Sequence, residues 1–225
     1  MDCAYLIYRI EVIVMKRSKY IDHTLLKPEA KKEDIQKLCQ EALEYDFASV
    51  CVNPYWVSYC AKLLQDSDVK VCCVIGFPLG ATTPQVKAYE CKQACENGAD
   101  EIDMVLNIGQ LKGKQYEAVY EDVKAVVEAS GNQIVKVILE TCLLSDEEII
   151  KACQICLEAK ADFVKTSTGF NQAGANLHVV KVMKEAVGNQ MQIKAAGGVR
   201  SAKDMDDMIQ AGASRIGTSH GIELL

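Results

Sequence analysis

The sequence predicts an α/β fold, a closed (β/α)8 or TIM barrel in a single domain. Three observations carry this expectation. Eight short runs rich in Val, Ile and Thr recur along the chain, longer helical patterns separate them, and there is no strong hairpin signal. Apolar strands joined through helices make parallel sheets with right-handed crossovers. An eight-strand count lets such a sheet close on itself and removes its edges. An open doubly wound sheet is the alternative.

The expected strands are 20–26 (YIDHTLL), 47–53 (FASVCVN), 69–77 (VKVCCVIGF), 101–107 (EIDMVLN), 134–141 (IVKVILET), 163–168 (FVKTST), 191–197 (MQIKAAG) and 215–219 (RIGTS). Helices are expected at 31–45, 54–66, 84–97, 111–130, 146–160, 175–187 and 202–211. Pro28, Pro54 and Pro84 each fall where a first helical residue would stand, a position that needs no N–H. Thr82 or Thr83 can cap the third helix, and Ser145 with Glu148 has capping-box spacing. Gly98, Gly131 and Gly212 sit near helix ends, where a left-handed turn costs glycine least. The last helix is nearly absent, because only Gly221 to Leu225 follow the eighth strand region.

A chain of 225 residues, 49% hydrophobic and 25% charged, can bury a sizeable core, and no linker or low-complexity run divides it. We read residues 15–225 as the barrel domain and residues 1–14 as an N-terminal extension, either a mistranslated upstream stretch or an untypical strand. Asp2, Arg9 and Glu11 interrupt that segment, so it suits neither a signal peptide nor a membrane span. A net charge of −6 and a pI near 5.2 argue against a general nucleic-acid surface. Eleven cysteines, an odd number placed mostly in apolar runs, point to packing in a reducing cytoplasm rather than to a disulfide framework. Cys153 and Cys156 have CxxC spacing but lie in a helical pattern without a second pair. The three histidines lack metal-site spacing and neither GxGxxG nor GxxxxGK[ST] occurs, so no metal, cofactor or nucleotide is expected.

A barrel places its active site at the C-terminal strand ends. Unusual polar residues gather there: Asp22 and His23, Asn53, Asp103 and Asn107, Glu140 and Thr141, Lys165 and Ser167, Lys194, and Thr218 and Ser219. Lys165 is the misfit of ADFVKTSTGF, a cation in a run that otherwise reads as a buried strand. Desolvation and a second nearby cation both favour a neutral amine, which can form a Schiff base with a carbonyl. Lys165 and Lys194 are expected on adjacent strands, with Asp103 available to move protons and Asp22 to position a hydroxyl. The alternative is a structural ion network with Asp103 and Glu140, and for Asp22 a cap or partner of His23 or Lys27. Gly197, Gly198, Gly217, Thr218, Ser219 and Gly169 suit a phosphate site of backbone amides, although any tight βα turn also wants glycine. Cys51 either lines the pocket or packs.

The runs YIDHTLLKP, CVNP, VIGFPLG, GADEIDMVLNIG, VKVILET, ADFVKTSTGF, KAAGGVR and RIGTSHG, in that order, resemble the deoxyribose-phosphate aldolases over about nine-tenths of the chain. The resemblance implies a class I aldolase that reversibly splits 2-deoxy-D-ribose 5-phosphate into D-glyceraldehyde 3-phosphate and acetaldehyde, in deoxynucleoside catabolism. It implies Lys165 as the Schiff-base lysine, Lys194 as the second lysine that lowers its pKa, and Asp103 as the proton-shuttling aspartate. Asp22, Asn53, Thr141, Gly169, Gly198, Gly217, Thr218 and Ser219 would contact substrate. A cytoplasmic homodimer acting on small molecules is expected. Two departures bear on substrate preference: Phe170 stands where some members have a basic residue, and the chain ends at Leu225 without the tyrosine-ended tail of some members. A related aldolase with another phosphosugar or ketose substrate, and a noncatalytic phosphosugar-binding protein, are the competing readings.

Overall fold

The computed structural model describes residues 15–225, so the reading of residues 1–14 lies outside the described residues. Eight parallel strands close into a barrel in sequence order: β1 (Ile21–Leu25), β2 (Ser49–Val52), β3 (Lys70–Ile75), β4 (Glu101–Val105), β5 (Ile134–Ile138), β6 (Phe163–Lys165), β7 (Gln192–Ala196) and β8 (Arg215–Thr218). β8 returns to pair in parallel with β1, through Asp22 opposite Gly217.

The helices are α1 (Lys32–Tyr45), α2 (Val57–Leu64), α3 (Pro84–Glu96), α4 (Ile108–Lys112), α5 (Tyr116–Ala129), α6 (Asp146–Glu158), α7 (Leu177–Val187) and α8 (Ala202–Gln210). The expected caps form: Thr83 accepts from the Val86 amide, and Ser145 with Glu148 makes a reciprocal box. Three boundaries differ from expectation. Pro28 lies in a turn instead of opening the helix, and α1 begins at Lys32, where Asp34 accepts from the Lys31 amide at 2.9 Å. The second helix is split into a 3-10 turn at Pro54–Trp56 and α2. The region 111–130 is two helices, because the backbone turns at Gly113 and Lys114 adopts a left-handed φ of 56°.

Alternate strand residues point to opposite faces, and here the two faces have opposite chemistry. Ile21, Val50, Val71, Ile102, Met104, Val135, Val137, Val164, Ile193 and Ile216 belong to the continuous apolar core that includes the buried faces of the helices. Cys39, Cys60, Cys91, Cys153 and Cys156 pack in this same layer, which accounts for the CxxC pair as core. The intervening positions face the bore. Leu26, Cys51, Cys72 and Val74 form a small apolar cluster there, and Asp22, Glu101, Asp103, Lys136, Lys165 and Lys194 are buried on the same face.

A 3-10 turn at Ile222–Leu224 takes the place of an eighth crossover helix. Arg17 fastens it, donating Nε to the Leu224 carbonyl, Nη2 to the Ala202 carbonyl and Nη1 to Asp206.

Candidate active site

Parallel pairing sets the site. Asp103 stands opposite Lys136, Lys165 opposite Lys194, and Lys194 opposite Arg215, so successive strands present charged side chains to the bore. The two oxygens of Asp103 are divided between them. Oδ1 accepts from Lys136 at 2.9 Å and from the Cys72 thiol at 3.1 Å. Oδ2 accepts from Lys165 at 2.8 Å and Lys194 at 2.7 Å.

Each cation below Lys165 bridges two carboxylates. Lys194 Nζ also lies 2.5 Å from Asp22 Oδ2, and Lys136 donates to Glu101 Oε2 at 2.5 Å. Arg215 joins Glu101, at 2.9 Å, to Asp22. Ser49 adds a 2.7 Å hydrogen bond to Asp22. Asp22 therefore partners Arg215, Lys194 and Ser49, not His23 or Lys27.

Burial alone would raise the Asp103 carboxyl, but Lys136, Lys165 and Lys194 outweigh it and hold the carboxylate well below its usual range. Burial likewise opposes ionisation of Asp22, and Arg215 and then Lys194 and Lys136 overcome it. Lys194, which burial would neutralise, is held above its ordinary value by Asp103 and Asp22. The pair Asp103 and Lys194 thus offers an ionised acceptor beside a protonated donor, and Lys165 shares the Asp103 Oδ2 acceptor with Lys194. Cys51, Cys72 and Asp103 bring three donor atoms within 4.8 Å. Both Asp103 oxygens already accept from ammonium groups, however, and a ring of cations repels another, so this set suits proton traffic rather than a metal.

Lys165 is the lysine of this cluster that opens onto the cavity at the strand ends. The cavity holds about 390 Å³. Thr24 and Leu26 form one wall, with Lys27 beside them; Gly169, Gly197, Gly198, Gly217, Thr218 and Ser219 form another. Arg200 and His220 stand at the same mouth. Gly169, Gly197 and Gly198 have φ of 84–85°, a left-handed backbone open to glycine. Gly197 also needs its missing side chain for space: a Cβ there would meet Gly174 Cα at 2.9 Å, and one at Gly174 would meet the Gly197 carbonyl oxygen at 2.1 Å.

The loop after β6 is held by Glu140, whose backbone is itself left-handed at φ 54°. Its carboxylate accepts from the Thr168 hydroxyl at 2.5 Å and from the Thr168 amide at 3.3 Å, and Thr168 Oγ1 accepts from the Phe170 amide. Phe170 then meets Phe77 edge-on at 5.2 Å, making an apolar rim. Glu140 is thus separate from the lysine network. Asn53 donates Nδ2 to the Leu26 carbonyl and is not among the cavity-lining residues. Thr141 is buried with no partner for Oγ1, and it too lies outside the lining. Cys51 packs against Cys72; the Cys72 hydrogen bond lowers its thiol against the effect of burial.

Sequence reasoning passed over Lys136, Glu101 and Arg215. Lys136 carried the same signal as Lys165, a lysine within an apolar strand. Glu101 and Arg215 open their strands and read as solvated edges, whereas Glu101 is 2% exposed.

Fold and site together define a barrel enzyme that works with a buried amine, a carboxylate and an amide-lined mouth. The family model of the DeoC/LacD family aldolases matches residues 17–223. A Streptococcus uberis protein named deoxyribose-phosphate aldolase is 62% identical over 211 residues, covering 94% of this chain and 96% of its own. A Clostridium tetani protein of the same name is 60% identical over 212 residues, covering 94% and 98%. The solved tetrameric deoxyribose phosphate aldolase of Aeropyrum pernix superimposes with a TM-score of 0.87 at 36% identity, over 92% of this chain and 88% of that one. The chain belongs to the DeoC/LacD family of aldolases, lyases of carbon–carbon bonds.

Proposed function

We propose that this chain reversibly cleaves 2-deoxy-D-ribose 5-phosphate to D-glyceraldehyde 3-phosphate and acetaldehyde, through a Schiff base on Lys165. The observation that carries this reading is the placement of Lys165: it opens onto the cavity while sharing one carboxylate oxygen with Lys194.

In the cleavage direction, Lys165 Nζ adds to the C1 carbonyl of the open-chain sugar. Loss of water from the carbinolamine gives an iminium, with Lys194 as the source of the proton for the departing hydroxyl, relayed through Asp103. Asp103 accepts the proton of the C3 hydroxyl, directly or through water. The C2–C3 bond breaks, its electron pair passes into an enamine, and glyceraldehyde 3-phosphate leaves. Protonation at C2 and hydrolysis then release acetaldehyde and restore the amine. No outside oxidant or reductant enters.

The mouth supplies the other half of recognition. Amides of the turns at Gly169, Gly198 and Gly217, with Thr218 and Ser219, would take the 5-phosphate, and Lys27 and Arg200 add positive charge at the rim. Asp22 acts through Lys194, and substrate contacts at Asn53 and Thr141 would need the upper loops to close. Among the described residues no helix is long and apolar enough to cross a membrane. A cytoplasmic homodimer serving deoxynucleoside catabolism fits this reading, and a tetramer, as in the Aeropyrum protein, is the other assembly to test.

The test is borohydride reduction in the presence of acetaldehyde followed by peptide mass mapping. An ethyl adduct confined to Lys165 is expected. Labelling scattered over surface lysines, or phosphosugar binding without any adduct, would replace the aldolase with a binding protein.

A further inference from the structure

Among the described residues, six of the seven charged groups in the bore form a closed alternating circuit. It runs from Asp22 to Lys194, Asp103, Lys136, Glu101 and Arg215, and back to Asp22. Three anions and three cations make the circuit neutral. Lys165 stands outside it, joined only at Asp103 Oδ2, and it faces the cavity. We propose that Glu101, Lys136 and Arg215 are positioning residues whose balanced charge makes Lys165 the surplus cation of the bore, so that the circuit's net charge sets the pH at which Lys165 reacts as an amine. This rests on the Schiff-base reading above and extends it to residues that touch no substrate.

Within the circuit every charge has two opposite neighbours, so neutralising any one member strands buried charge on either side. Neutralising Lys165 strands none and leaves the bore balanced. The ionised state of the circuit agrees: Asp22 and Asp103 are held low, while Lys136, Lys194 and Arg215 are held high by their carboxylate partners. The remaining titratable groups facing this region are few. Cys72 on β3 donates to Asp103 and its thiol is pushed up, first by burial. Cys51 on β2 lies against it and is lowered. Glu140, beyond β5, is engaged by Thr168. Lys27, Arg200 and His220 stand at the solvated mouth, where screening weakens their reach.

The experiment follows imine formation with acetaldehyde, an uncharged probe that avoids titration of the sugar phosphate. Full-length protein is mixed with acetaldehyde and cyanoborohydride across pH 5–10, and the rate of ethylation at Lys165 is read by mass spectrometry. Glu101→Gln raises the bore charge by one and keeps the shape, so its midpoint should fall by on the order of one pH unit. Lys136→Met lowers the charge by one and should move the midpoint up by a similar amount. Lys136→Arg keeps the charge and should leave the midpoint in place, and the Glu101→Gln/Lys136→Met double variant should return it towards the parent. The same shifts are expected in a Cys51→Ala background.

A purely structural circuit would lower rate and stability without moving the midpoint. No shift in Glu101→Gln, or shifts of the same sign in Glu101→Gln and Lys136→Met, overturns the proposal while the parent still labels at Lys165. If Lys136→Met does not fold, the isosteric Glu101→Gln decides alone. Failure of the parent itself to label at Lys165 instead rejects the Schiff-base reading, and this proposal with it.

Discussion

Lys165 and Lys194 are paired in register across β6 and β7, and both donate to the same oxygen of Asp103. The two amines therefore compete for one acceptor. Lys194 has a second carboxylate in Asp22 and Lys165 has no second ion-pair partner among the described residues, so the cavity-facing amine is the one free to leave.

Lys165→Leu should abolish cleavage and leave the barrel folded. An apolar side chain replaces a buried cation, and Asp103 keeps Lys136, Lys194 and Cys72. Circular dichroism melting checks the fold, and coupled detection of glyceraldehyde 3-phosphate checks turnover. Any retained cleavage above the uncatalysed level removes Lys165 from the mechanism.

Lys194→Leu should cost both stability and rate. It leaves Asp22 Oδ2 and half of Asp103 Oδ2 without their cation, a loss of about 3–5 kcal/mol for breaking a buried pair. It also removes a positive charge beside Lys165, so the acid limb of the pH–rate profile should move upward and turnover at neutral pH should drop by orders of magnitude. An unchanged profile in a folded variant would show that the two lysines are not coupled.

Glu140→Gln should weaken phosphosugar binding more than it slows chemistry. A neutral amide holds the Thr168 hydroxyl and amide less firmly, and Thr168 in turn carries the Phe170 amide at the mouth. The expected outcome is a KM raised about tenfold for the phosphorylated sugar, corresponding to roughly 1.4 kcal/mol, with imine formation from acetaldehyde little changed. Equal losses in both assays would place Glu140 in the chemistry instead.

Acid should unfold the barrel from its bore. Asp22 and Asp103 are lowered in the folded state, so the stability they contribute is fully present above the ordinary carboxylate value of about 4 and is lost as pH falls through their folded values. Chemical denaturation should therefore show a flat midpoint from pH 6 to 5 and a steep decline below about 4. Asp22→Asn should flatten that decline; a decline of undiminished slope would assign acid unfolding to other carboxylates.

Much of the fold was legible because each strand is a separate apolar run and its companion helix carries its own stop. Boundaries failed where a local rule met tertiary demand. Pro28 obeys the rule for a first helical residue, yet the chain spends Pro28 and Glu29 turning away from β1 before α1 begins. Lys165, Lys194 and Asp103 stood out as charges in apolar strands. Glu101 and Arg215 did not, because a strand's first residue is ordinarily solvated, and only the stagger of the closed barrel draws those two down to the level of Lys136. Asp22 stood out as a charge in a strand, but its pairing with Arg215, 193 positions away, did not.

The contact between Gly174 and Gly197 joins the loops after β6 and β7 backbone to backbone, with no side chain between them that could rotate aside. The Ala175 amide also donates to the Gly197 carbonyl at 2.9 Å, so the two loops are tied as well as in contact. A ligand that orders the Thr168–Phe170 turn thereby lowers the entropic cost of ordering the Gly197–Gly198 turn, and the two halves of the mouth should saturate as one event rather than two.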